Sequence, residues 1–256
     1  MFTRAIVRPP GTSFAQGMTT ASLGMPLLSA ALAQHASYCE ALEQCGLDVI
    51  PLDADARYPD STFVEDTAVL TERIAVLARP GAPSRRGEVA SVADALEDFY
   101  EERIEIRAPG TLDGGDVCRA ENHFFIGVSQ RTNAAGAEQL AEILRIHDYS
   151  ATLVDIRASA GLLHLKSGLS FVGDRRLVLN ADLAARAMFR DFETTVVDPA
   201  DGYAANCVLV NEHLLVAEGY PRLTEELVAL GHEVISLKMS EFRKMDGGLS
   251  CLSLRF

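Results

Sequence analysis

The chain of 256 residues repeats one order of elements along its length: a pair of short strands, an amphipathic helix, and a further strand. In the first uninterrupted copy, residues 63–70 and 74–78 read as two strands, and residues 104–108 as a third. Between them, residues 88–100 read as a helix with Val89, Val92, Leu96 and Phe99 on one face. The next copy has a hairpin at 116–128, a helix at 133–146 striped by Ala137, Leu140, Ile143 and Leu144, and a strand at 151–156. A further copy pairs 169–172 with 177–179, places a helix at 183–189 and ends in a strand at 195–197. Another pairs 208–210 with 214–217, runs a helix over 222–230 and closes with 234–237. The chain ends complete the set if residues 251–256 pair with residues 2–7, because a helix at 26–44, Gly46 at its C-terminal cap and a strand at 47–52 follow. Units of about 40 to 50 residues at near-constant spacing mark a circular or solenoid repeat. Joining the termini would leave no open sheet edge. An ordinary open α/β sandwich is the competing arrangement.

Composition limits what such a chain serves. With 48% hydrophobic residues it can bury a full core, and residues 1–256 are expected to form one domain. A net charge of −13 argues against nucleic acid or an anionic membrane surface as partner and favours a small cationic molecule. The five cysteines, Cys39, Cys45, Cys118, Cys207 and Cys251, are odd in number and scattered, which suggests neither a disulfide framework nor a zinc knuckle and fits a reducing cytoplasm. His35, His123, His147, His213 and His232 have no ligand spacing, so no metal is expected. No apolar signal region opens the chain, and no run approaches the length of a membrane span. A homodimer is compatible with the sequence.

A ring would bring the residues just before each hairpin toward its axis, and those positions are chemically unusual. They hold Asp60 through Asp66, Asp113 in Leu-Asp-Gly-Gly-Asp, His164 between leucines, Asn206, and Cys251 after Asp-Gly-Gly-Leu-Ser. A thiol on tightly bent backbone can serve as a soft nucleophile, although a lone cysteine also serves as a small buried hydrophobe. Asp113 alone could be a turn residue, and His164 a satisfied core histidine. Glu65 and Asp66 interrupt an apolar strand, so they should face opposite ways with one of them buried, and a buried carboxylate wants a cation. Arg85, in a Pro/Gly loop, and Arg131 could clamp a carboxylate or simply solvate the surface.

Taken together, these motifs resemble the dimethylarginine dimethylaminohydrolases. The resemblance rests on Asp60-Ser61-x-Phe63-Val64-Glu65-Asp66, Arg79-Pro80-Gly81-Ala82-x-Ser84-Arg85-Arg86, Leu112-Asp113-Gly114-Gly115-Asp116, Arg131-Thr132-Asn133, Leu163-His164-Leu165-Lys166, Tyr203-Ala204-Ala205-Asn206-Cys207 and Met245-Asp246-Gly247-Gly248-x-Ser250-Cys251. It covers nearly the whole chain. It implies a five-bladed α/β propeller, with Cys251 as nucleophile, His164 as general acid/base and Asp113 as the acid that orients the histidine. It further implies Asp66 with Glu65 at the guanidinium, and Asp60 with the Met18 carbonyl at the substrate α-amino group. Arg85 and Arg131 would hold the carboxylate, with the Met245 carbonyl as another guanidine contact. Met18 stands where the family pattern has leucine, a change that a backbone contact tolerates.

No cofactor is implied. The expected reaction converts asymmetric dimethylarginine or monomethylarginine to citrulline and an amine through a covalent thiouronium. Arginine deiminases of the same superfamily resemble a His-x-Asp pattern, whereas here Lys166 follows His164 and Leu165. A citrulline hydrolase, an arginine deiminase and a non-catalytic binder of cationic amino acids are the alternatives.

Overall fold

The structure is a computed structural model describing residues 1–256. It contains five three-stranded sheets, each an antiparallel strand pair followed through a helical segment by a parallel strand. The terminal blade joins Ser253–Arg255 to Arg4–Val7, which pairs in parallel with Asp48–Pro51. In the others, inner, middle and outer strands are Ala68–Leu70, Ala75–Leu77 and Arg103–Glu105; Val117–Ala120, His123–Val128 and Ser150–Asp155; Leu169–Phe171, Arg176–Leu179 and Glu193–Val196; and Val208–Val210, His213–Ala217 and Glu233–Leu237. This is the architecture of a five-bladed α/β propeller. Chain ends meet in register, with Ala5 opposite Arg255 and Val7 opposite Ser253. Asn211 fastens the N-terminus to the neighbouring blade: its side chain accepts from Phe2 N and donates to Phe2 O and Cys45 O.

The helices bury most of the stripes their periodicity announces, although Val89 and Ile143 are only partly buried and Phe99 is exposed. Ala134–Ile146 buries Ala137, Leu140 and Leu144, and Asn133 caps it by accepting from Gly136 N. Val89–Leu96 buries Val92 and Leu96 but stops short of Tyr100, whose hydroxyl donates to Thr71 O. The helix expected at 183–189 is broken into Ala181–Ala184 and a short 3-10 turn Ala187–Phe189.

A larger departure lies before each inner strand. Residues 63–66 are not strand; a 3-10 turn, Val64–Thr67, precedes the short strand from Ala68. The same device recurs at Gly114–Asp116, Leu165–Ser167, Pro199–Ala205 and Ser250–Leu252. Each tight turn redirects the chain at the hub and leaves backbone groups that a neighbouring turn must satisfy.

Those turns are linked in a closed circuit. Asp66 Oδ1 accepts from Gly115 N at 2.9 Å, and Asp116 Oδ1 accepts from Leu165 N at 2.9 Å. Lys166 O accepts from Asn206 Nδ2, and Asn206 Oδ1 accepts from Ser250 N. Ser250 Oγ completes the circuit by donating to Glu65 Oε2 at 2.7 Å. Asn206→Ala removes two links at once, leaving Ser250 N and Lys166 O without partners. We expect a loss of about 2–3 kcal/mol, read as a fall of roughly 5–10 °C in Tm by calorimetry; an unchanged Tm would deny the circuit a structural role.

Beyond the turns, between the inner strands, lies a cavity of about 810 Å³. Glu65, Lys166 and Ser250 form part of its lining, whereas Asp113, His164 and Cys251 do not contribute. The turns therefore divide the hub, and neighbouring residues on one turn serve opposite sides of it.

Candidate active site

Asp113 and His164 form the best-defined contact at the hub. His164 Nε2 lies 3.0 Å from Asp113 Oδ2, and 3.9 Å from Asp66 Oδ1. Asp113 is fully buried; its other oxygen accepts from Gly81 N at 2.8 Å, and its own N–H donates to Thr132 Oγ1. Glycine is required at 115 because a β-carbon there would come within 2.8 Å of both Asp66 Oδ1 and His164 Nδ1. Burial opposes charge on His164, but Asp66, the Asp113 hydrogen bond and Asp116 outweigh it and raise the imidazole to about 9. Asp66 responds in the opposite sense: burial disfavours its charge, yet His164 and Arg85 hold the carboxyl below its ordinary range.

Cys251 sits partly exposed in the turn Ser250–Leu252, where Gly248 N approaches its sulfur at 3.4 Å. Glycines at 247 and 248 admit this approach, since β-carbons would collide with the Phe63 ring and the Asn206 side chain respectively. Burial of the sulfur, followed by the negative charges of Glu65 and Asp66, pushes the thiol up to about 12. These shifts favour a neutral thiol at Cys251 and a protonated imidazole at His164.

Asp66, Asp113 and His164 present donor atoms within 4.8 Å of one another, an arrangement able to hold a cation. Two buried carboxylates with a delocalised guanidinium between them match this set in charge and in hydrogen bonding. At the other end of the site, Asp60 accepts from Met18 N at 3.1 and 3.3 Å, and Gly17 packs between Asp60 and the Met245 side chain. Burial raises Asp60, which an incoming ammonium would counter. The segment carrying Met18 is strapped to the one carrying Met245: Thr19 Oγ1 donates to Lys244 O, and Thr20 N and Oγ1 donate to Asp246 Oδ2.

Two expected contacts are placed differently. Glu65 and Asp66 are both buried, because the chain is a turn there. Only Asp66 joins the His164 cluster, while Glu65 accepts from Lys166 Nζ and Ser250 Oγ, with Arg255 at 3.6 Å. Its charge reaches Cys251 without its oxygens being free for a guanidinium. Arg85 is no solvated surface residue: at 3% exposure it donates to both Glu88 oxygens, to Asp66 Oδ2 at 2.5 Å and to the carbonyls of Asp60 and Phe63. Arg131 is more open, with Nη1 3.8 Å from Asp113 Oδ2. Glu88, Asn206 and Ser250 complete the machinery without having been singled out for roles; the Arg85–Glu88 spacing of one helical turn was the available signal for the first.

A thiol, an imidazole and buried carboxylates at the hub of a five-bladed α/β propeller define a cysteine-dependent enzyme site for a small cationic group. The profile of the eukaryotic N,N dimethylarginine dimethylhydrolase family matches residues 24–197. The chain is 42% identical to the N(G),N(G)-dimethylarginine dimethylaminohydrolase of Pseudomonas aeruginosa, over all of both chains, and 34% identical to that of Streptomyces coelicolor over 98% of this chain and 96% of the other. A solved structure of the Pseudomonas protein, a cysteine-to-serine mutant complexed with citrulline, is 42% identical, superposes with a TM-score of 0.97 and covers 100% of each chain. The N-terminal domain of a cyanobacterial arginine dihydrolase, 18% identical and covering 100% of this chain and 97% of its own, shares the fold with a TM-score of 0.88. The chain belongs to the dimethylarginine dimethylaminohydrolase family.

Proposed function

We propose that residues 1–256 form one catalytic unit that hydrolyses N-omega-methylated arginines to citrulline and dimethylamine or methylamine. The observation that carries this reading is the convergence of Asp66, Asp113 and His164 at the hub, with donor atoms within 4.8 Å of one another, and Cys251 on the turn next to that of Asp66. Asp66 and Asp113 hold the guanidinium, Asp60 and the Met18 carbonyl take the α-ammonium, and Arg131 takes the carboxylate. Arg85 acts on the substrate chiefly by bracing Asp66, and the Met245 carbonyl bounds the guanidine. Five unpaired cysteines suit work in a reducing cytoplasm.

A guanidinium is a poor electrophile because its charge is delocalised, so fixing it between carboxylates prepares attack. Once the cation is bound, the Cys251 thiol gives up its proton to solvent and the thiolate forms a C–S bond to the central carbon. His164 gives its proton to the departing amine as the C–N bond breaks, leaving a thiouronium. Neutral His164 then removes a proton from water, the hydroxyl adds to the same carbon, and the C–S bond breaks to return the thiolate and release citrulline as the added oxygen passes its remaining proton to solvent and the freed amine. The exchanged protons pass through the His164 ring, which Asp113 keeps oriented through its contact with Nε2.

The test is purified protein with arginine, monomethylarginine, asymmetric dimethylarginine and citrulline, scoring amine release and citrulline or ornithine. Lys166 stands where a deiminase-like acid would grip an unsubstituted guanidine, and it neutralises Glu65. Methylated arginines should therefore exceed arginine in kcat/KM by about tenfold or more, a difference of about 1.4 kcal/mol. Equal turnover of arginine would support a deiminase instead.

The two arginines should separate kinetically. Arg131→Lys should raise KM by roughly tenfold with little change in kcat, since a bidentate carboxylate contact is lost while charge is kept. Arg85→Lys should lower kcat as well, because Asp66 loses its brace. Identical effects on KM alone would place both arginines at the carboxylate.

A further inference from the structure

Asp116 is completely buried and gathers three parts of the site. Its Oδ1 accepts from Leu165 N, the amide directly after His164, at 2.9 Å. Its Oδ2 accepts from Ser129 Oγ at 2.6 Å, and Ser129 Oγ in turn accepts from Arg131 N and Thr132 N at 2.9 and 3.0 Å. Thr132 Oγ1 then accepts from Asp113 N at 3.0 Å. One carboxylate thus fixes the turn bearing His164 and the loop bearing Arg131, and through Thr132 it reaches the backbone of Asp113. Gly127 makes room for it, since a β-carbon at that position would stand 2.9 Å from Asp116 Oδ1 and 3.0 Å from Leu165 Cβ.

We propose that Asp116 is a positioning residue of the reaction, one that locks the His164 turn to the Arg131 loop and supplies the imidazole with a negative charge that stays in place whether or not substrate is bound. The assignment rests on the roles given above to His164 and Arg131. The charged groups facing His164 are Asp66 at 3.9 Å, Asp113 at 3.0 Å and Asp116, which acts through space alone. Asp66 and Asp113 engage the guanidinium during the reaction, and their field at His164 is then partly cancelled. Asp116 is out of the substrate's reach and keeps acting on the ring. Burial pushes Asp116 up to about 6, opposed by the charge of His164 and the hydrogen bonds from Ser129, Thr132 and Leu165, so it remains ionised above neutrality beside a protonated histidine.

Asp116→Asn keeps an oxygen for Leu165 N and removes the charge. In free enzyme, NMR titration of the His164 ring, assigned with His164→Gln, should shift downward by about one pH unit. The alkaline limb of single-turnover amine release should fall by the same amount. Ser129→Ala is the second arm: it cuts the link to Arg131 and removes one hydrogen bond that favours ionised Asp116, but leaves that carboxylate charged in the alkaline range where His164 titrates, so KM should rise severalfold while the His164 titration stays close to its wild-type position. A folded Asp116→Asn protein with an unshifted His164 titration would overturn the electrostatic role, and an unchanged KM in Ser129→Ala would overturn the coupling to Arg131. If Asp116→Asn does not fold, the Ser129→Ala arm still decides the coupling. The titration needs no turnover, so absence of methylarginine hydrolysis in the wild type would count against the proposed function and leave this test readable.

Discussion

Cys251→Ser should reduce turnover by at least about 10⁴-fold while leaving substrate binding nearly intact. The residues that hold the substrate, Asp60, Asp66, Asp113 and Arg131, lie on other turns and loops, and a serine fits the position of the thiol. The Ser250 and Asn206 contacts that shape the turn do not involve the sulfur. Isothermal titration of the mutant with asymmetric dimethylarginine should give a dissociation constant within a few-fold of the wild-type value inferred from kinetics. Acid-quenched wild type should carry an adduct on the Cys251 peptide. Turnover in the mutant near the wild-type rate, or an adduct on another cysteine, would remove Cys251 from the chemistry.

The second large effect is on the ionisation of that thiol. Its sulfur is pushed up to about 12 by burial and by Glu65 and Asp66, with Gly248 N–H and Lys166 pulling weakly the other way. Proton loss from the empty site at neutral pH should therefore be negligible, and the thiolate absorbance difference between wild type and Cys251→Ser should emerge only in strongly alkaline solution. A bound amidinium analogue places a positive charge between the same carboxylates, and one opposite charge at close range shifts a buried group by about 1–3 units. The midpoint should fall by about one to three units, a gain of roughly ten- to a thousandfold in thiolate at any pH below it. His164 moves in the same direction, because the analogue cancels the field that raises it to about 9. A free-enzyme thiol titrating below pH 7, or a midpoint unaffected by the analogue, would rule out substrate-assisted activation. With the thiol neutral until substrate arrives, the enzyme is also shielded from adventitious alkylation and oxidation, which act on thiolates.

Much of this molecule is legible in its residues. Period-2 runs followed by 3.6-period stripes announce every hairpin and most helices, and the C-terminal strand completes the terminal blade by pairing with Arg4–Val7, although each blade stays a separate three-stranded sheet with two edges rather than part of an edgeless ring. The identities of the reacting groups are also on the sequence, since Asp-Gly-Gly at 113–115 and Gly-Gly at 247–248 mark backbone that must approach a neighbour closely. Tertiary structure decided which way each group faces. An alternating pattern at 63–70 reads as strand, yet Val64–Thr67 winds as a 3-10 turn whose backbone is satisfied locally, with Asp66 N donating to Phe63 O and Thr67 Oγ1 to Val64 O, while the Asp66 side chain accepts from Gly115 N of the next blade. That winding sends Asp66 to His164 and Glu65 to Lys166, adjacent residues with different partners from turns about 100 positions away. Arg85 shows the same limit: a Pro/Gly loop with paired arginines looks solvated until the fold sets Glu88, Asp66 and two carbonyls around the guanidinium. Local sequence determines the period and the turn, because these depend on backbone sterics and on one neighbour at a time. The partner of a buried charge depends on groups brought together from distant parts of the chain, and so is fixed only when the blades close around the hub.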